Sequence, residues 1–157
     1  PFVYSDEVWT GVEHQVAASL AYAGLVEEAL TVERAARRRY DGTARSWGNE
    51  IECGNHYARS LDSWALLLAF TGVPWDAPTR TLAFAPAMDG PLRALFTTGS
   101  AWGSVEIDGH SVALHVLGGV LDVDRLVLDG RTVAGPLHLA AGESRAATPD
   151  RTPQETS

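Results

Sequence analysis

The apolar residues of this chain change period at Pro74, and that switch constrains its fold more than any other feature. Before Pro74 they recur at three and four residues, the spacing of a helix; after it they alternate, the spacing of a strand. Val8, Val12, Val16 and Leu20 form one stripe, with Trp9 beside them, and predict a helix from about 7 to 23. Asp6 is the expected N-cap and Gly24 the expected stop. Leu25, Ala29, Val32, Ala36 and Tyr40 continue into a second helix that ends at Asp41-Gly42. Its acids come early (Glu27, Glu28, Glu33) and its arginines late (Arg37, Arg38, Arg39), which suits the helix dipole. The arginine run reads as a solvated helix end, with an anion site as the alternative.

A third helix is expected from about Asn55 to Phe70, striped by Tyr57, Leu61, Trp64 and Leu68. Its end, Ala65 to Phe70, is apolar on every side, as in a helix buried all round. Three helices cannot bury that surface alone, so they are expected to belong to a larger helical assembly. Beyond Pro74, the segments 83–85, 104–107, 112–116, 120–123 and 126–128, with Val133, read as short antiparallel strands. Asp108-Gly109 and Asp129-Gly130 are the turn dipeptides of tight hairpins. From Gly142 the chain loses apolar periodicity, and residues 142–157 are expected to be a disordered tail. The organisation expected is therefore an α+β chain in three parts. Residues 1–75 are all-α, 76–141 a β-rich extension, and 142–157 the tail.

Composition excludes several classes of function. The 157 residues carry a net charge of -8, whereas phosphate binding needs a basic footprint, so nucleic acid is not expected as a partner. All 12 basic residues are arginine, which reads as the codon bias of a GC-rich bacterial genome. Cys53 stands alone, which excludes an intramolecular disulfide framework and a multi-cysteine zinc site. His14, His56, His110, His115 and His138 show no ligand spacing, and neither a metal nor a cofactor is expected. No run reaches the roughly 18 apolar residues of a membrane-spanning helix. With no leader visible, the compartment expected is a bacterial cytoplasm. The chain opens on Pro1 rather than methionine, which makes it read as a fragment of a longer polypeptide.

The residues that could carry chemistry concentrate in the loop before the third helix. From Trp47 to Arg59 it carries Asn49, Glu50, Glu52, Cys53, His56, Tyr57 and Arg59 between glycines. In an extended loop Glu50 and Glu52 point to one side, about 6.5–7 Å apart, so they could form a carboxylate pair for glycoside chemistry. Alternatively one caps the helix and the other pairs with Arg59. Cys53 beside His56 could be a thiol nucleophile and its base, against the plainer reading of a packed thiol. Glu7 and Trp9 make a second cluster at the start of the first helix. Indole faces stack on the apolar faces of sugars while carboxylates take the hydroxyls.

In order and spacing, Glu7-Val8-Trp9-Thr10-Gly11-Val12, Arg39-Tyr40-Asp41-Gly42, Asn49 to Ser60 and Ser63 to Leu68 resemble the C-terminal part of the catalytic region of glycoside hydrolase family 116. That family contains β-glucosidases and the non-lysosomal glucosylceramidases, also called bile-acid β-glucosidases. Leu82 to Pro86 and Phe96 to Gly103 look like the extension some prokaryotic members carry. The resemblance implies that the helices are the last of an (α/α) toroid. It also implies retaining hydrolysis of β-glucosides, by a nucleophile glutamate and an acid/base aspartate that lie upstream of this chain. Glu50 and Glu52 are then not the catalytic pair. By the same resemblance Glu7, Glu50 and Arg59 contact hydroxyls of the bound glucose, and Trp9, Asn49 and His56 line the pocket. The expected partners are a β-glucoside and the rest of the parent polypeptide. Two departures stand out: Trp47-Gly48 replaces the tryptophan usual directly before the asparagine, and Asp62 replaces a small residue, a change expected to concern only the barrel surface. A non-catalytic carbohydrate-binding or scaffold module of glycosidase ancestry is the alternative.

Overall fold

The computed structural model describes residues 5, 7–43, 45, 59–72 and 75–148. The chain divides into two compact units, Pro1–Phe70 and Thr71–Ser157.

The first unit is built on α1 (Thr10–Tyr22) and α2 (Val26–Arg38). They are joined by a tight reversal in which Leu25 N–H donates to Leu20 C=O and Gly24 N–H to Ala21 C=O. Gly24 adopts φ +80°, the left-handed conformation this helix stop requires. A 3-10 turn, Ser60–Ser63, then leads into α3 (Trp64–Thr71). The helices meet through small side chains: Ala17, Ala18 and Ala21 of α1, Ala29 of α2, and Leu66 and Ala69 of α3 form one buried cluster. Alanine lets helix backbones approach closely where a β-branched residue would hold them apart. The expected α1 stripe therefore points elsewhere: Val8, Val12 and Val16 are exposed, while Thr10, Gly11 and His14 are buried. The all-apolar end of α3 is likewise only half covered, with Trp64, Leu67 and Leu68 exposed.

In the second unit, β2 (Thr81–Phe84) and β6 (Arg125–Leu128) pair in parallel at the centre of a four-stranded sheet. Its outer strands are β1 (Trp75–Asp76) and β7 (Arg131–Ala134). A five-stranded sheet joins β3 (Leu92–Thr97), β4 (Ala101–Asp108), β5 (Ser111–Val123), β8 (Leu137–Ala140) and β9 (Ser144–Ala147). Both expected hairpins form. Gly109-His110 connects β4 to β5, and Asp129-Gly130, both at positive φ, connects β6 to β7 as a primed turn demands. The inward alternation of the two sheets fills one core: Leu82, Phe84, Leu126 and Leu128 from one, Phe96, Val105, Ile107, Val112, Leu114 and Val116 from the other.

Two expectations are corrected here. The first is the N-terminal all-α portion of an (α/α) toroid. The described residues form three short helices, strand makes up about 39% of the described residues in two sheets, and the fold is a small α+β one. The helices are short for local reasons: α3 is preceded by Ser60-Leu61-Asp62-Ser63, poor in helix formers, and Gly72 at φ +57° stops it after eight residues. The second is the disordered tail. Ser144–Ala147 is a strand, paired antiparallel with β5 from Val112↔Ala147 to His115↔Ser144. An edge strand held by backbone hydrogen bonds needs no apolar period of its own, so composition hid it.

Candidate functional site

Three of the six expected sugar contacts lie within the described residues, and the structure brings them together. Trp9 is the N-cap of α1 in extended conformation, φ -88° and ψ 100°, so its indole lies just ahead of the first turn. Its Nε1–H donates to Glu7 Oε2 at 2.9 Å. Arg59 comes to the same place from 50 residues further along the chain. Gly11 makes that approach possible: a Cβ there would stand 2.7 Å from Arg59 Cβ and 2.5 Å from Asp62 Oδ2. With no side chain at Gly11, the Arg59 guanidinium carbon reaches 5.4 Å from the centroid of the Trp9 ring, within cation–π range. Arg59 Nε is buried, and Trp9 keeps 36% of its surface exposed. A carboxylate, an indole and a guanidinium thus share one partly solvated corner. Such a set can take hydroxyls on the charged groups and an apolar ring face on the indole.

Asn49, Glu50 and His56 lie outside the described residues, as do Glu52, Cys53, Trp47-Gly48 and the expected N-cap Asp6. Asp62 is corrected: its carboxylate packs against Gly11 in the first turn of α1, beside Arg59, rather than standing on an outer surface.

A polar layer between α1 and α2 supports this corner, and the sequence reading missed it. Thr10 Oγ1 and Tyr40 Oη lie 2.9 Å apart and buried. His14 Nδ1 meets Glu33 Oε2 at 2.7 Å, and Arg39 grips both carboxylate oxygens of Glu13. The spacing could have revealed it, because Thr10, Glu13 and His14 fall at i, i+3 and i+4 on one face of α1. Arg39 therefore belongs to this layer, while Arg37 and Arg38 are exposed. Among the described residues, no three of His, Cys, Asp and Glu gather as a metal site, and no helix is long and apolar enough to cross a membrane.

In comparisons with known proteins, no family model matches the chain and no curated protein matches its sequence.

Proposed function

We propose that the helical unit supplies sugar-binding groups, but not the bond-breaking carboxylates, to a retaining β-glucosidase of the family 116 kind. The observation that carries this reading is the convergence of Glu7, Trp9 and Arg59, three residues the resemblance assigns to one glucose. Glu7 and Arg59 take hydroxyls, Trp9 walls the ring, and the nucleophile and acid are supplied by polypeptide upstream. The 157-residue chain alone then binds glucose weakly and hydrolyses nothing.

A positioned charged hydrogen bond contributes about 1.5–3 kcal/mol, which is roughly one to two orders of magnitude in affinity or turnover. In the parent enzyme Arg59→Ala and Glu50→Ala should therefore lower kcat/KM on an aryl β-glucoside by about ten- to a hundredfold. A loss under about threefold in either variant removes that residue from the sugar subsite. Specific β-glucosidase turnover by the purified chain would overturn the division of labour itself.

The small α+β fold favours a second reading: a non-catalytic carbohydrate-binding or scaffold module of glycosidase ancestry. The upstream coding sequence separates the two. An in-frame region with the nucleophile glutamate and the acid aspartate supports the enzyme, and a stop codon or substituted positions support the module.

A further inference from the structure

The outer face of the five-stranded sheet presents a second set of groups that the helical corner does not use. Strand register places them in three rows. Thr97, Trp102 and Gly118 form the first, Leu95, Ser104, His115 and Ser144 the second, and Arg93, Glu106, Ala113 and Ala146 the third. Successive rows are two residues apart, so the three span about 14 Å, longer than a single pyranose ring. Their centre is hollow because Ser104 is small and lies low, 7% exposed, among larger neighbours. The trough so formed holds about 600 Å3 and is walled by Leu95, Leu117, His115, Arg93 and Glu106.

Two local irregularities shape its apolar end. A register shift between Trp102 and Gly103 leaves Leu117 as the extra residue of β5 and turns it onto this face. Gly118 makes room for the indole, since a Cβ there would stand 2.3 Å from Trp102 Nε1. Leu95, Trp102 and Leu117 are 64%, 54% and 54% exposed, too many large apolar groups on one sheet face to be incidental. The polar groups between them are already balanced in charge. Arg93 Nε lies 3.5 Å from Glu106 Oε1, and His115 Nδ1 is held by Ser144 Oγ at 2.8 Å, so Nε2 is the ring atom left to meet a ligand. A paired guanidinium and carboxylate offer hydrogen bonds in both directions without net charge, which suits neither a phosphate nor a cation. An apolar floor edged by neutral donors and acceptors suits a neutral polyol with flat apolar faces.

We propose that this face is a carbohydrate-binding surface, taking a neutral oligosaccharide across Trp102, Leu117 and Leu95, with Ser104, His115 and the Arg93–Glu106 pair receiving its hydroxyls. It goes beyond the helical corner and does not depend on it.

The test is calorimetric titration of the full 157-residue chain with cellotetraose and with xylotetraose, accompanied by circular dichroism of each variant. Binding of at least one is expected. Trp102→Ala should weaken it about tenfold with an unchanged spectrum, Trp102→Phe should restore most of it, and Arg59→Ala should remove at most the weak component contributed by the helical corner. If the folded chain binds neither tetrasaccharide, or if Arg59→Ala removes binding that Trp102→Ala preserves, the proposal is overturned. A dimer that Trp102→Ala dissociates, without sugar binding, overturns it in favour of a second copy of the chain. Because Arg59→Ala is in the set, failure of the helical reading and failure of this one give different results.

Discussion

Gly11 shows how one residue decides whether a cluster exists. A side chain at that position collides with both Arg59 and Asp62, so even a methyl group must push the segment beginning at Arg59 away from α1. Gly11→Ala is expected to destabilise the helical unit by about 1–3 kcal/mol, the usual range for overpacking. It should also weaken the contact between Arg59 and Trp9, read as a change in the Trp9 emission obtained by subtracting the spectrum of the matching Trp9→Phe variant. A denaturation midpoint equal to wild type would mean the two segments are not in contact. The sequence made Glu7, Trp9 and Arg59 legible as sugar-binding types, but not the glycine that unites them. A glycine inside a helical pattern reads as a cost unless its neighbour across the fold is known.

At the scale of elements, the middle of strand β5 was legible from its alternation. Alternation at Val112, Leu114 and Val116 is a two-residue period that no helix produces, and the structure buries all three. Strands β3, β8 and β9 were missed because each carries little continuous apolar signal. Leu92-Arg93-Ala94-Leu95-Phe96-Thr97, for example, breaks its alternation at Leu95-Phe96. The α1 stripe was misjudged for the opposite reason. Valine at every fourth position is a stronger hydrophobic signal than alanine, yet alanine permits the closest helix contact and won the buried face.

The parallel start of β2 beside β6 is marked by an ion pair that no spacing rule suggests. Arg80, at φ 44°, grips Asp124 with two hydrogen bonds, one from Nε to Oδ2 at 3.1 Å. The hydrogen bond from Arg80, reinforced by its charge, holds the Asp124 carboxyl below the ordinary aspartate range and raises the Arg80 guanidinium above its own. A depressed folded-state value means that the contribution is fully present above the unfolded value, about 3.9, and is lost as pH falls through the folded one. Asp124→Asn should therefore flatten the acid limb of the pH–stability profile. The midpoint at neutral pH should move little, because the pair is half exposed and screened by solvent. Urea midpoints of both proteins between pH 2 and 7 give the comparison; an identical acid limb would remove the pair from the account.

For the molecule as a whole, the change of period at Pro74 was the most durable feature of the sequence. It separates helical from strand-forming segments, and the compact units divide at Phe70 and Thr71. The architecture was not legible in the same way. Periodicity reports which residues form helices but not how many further helices would surround them, and the toroid came from resemblance rather than from spacing. In the strand unit the core is shared between sheets, so removing one large side chain from it should be felt throughout. Phe84 is fully buried, and Phe84→Ala is expected to cost about 3–5 kcal/mol. Hydrogen exchange is the readout: amides of β5, in the facing sheet, should lose protection together with those of β2. Loss confined to β2 would show that the two sheets do not share a cooperative core.

Strand β5 runs for 13 residues and is paired by three others: β4, joined to it by a two-residue loop, and β8 and β9, which follow later in the chain. In kinetic terms it is a template completed out of order. The β4–β5 hairpin is local and closes at once, whereas His115 waits for Ser144 and Thr81 for Arg125, contacts across 29 and 44 residues that carry a large loop-closure entropy. During synthesis, the hairpin therefore leaves the ribosome with one edge unpaired. Among the described strands β9 emerges last, and it covers the Val112–His115 part of that edge.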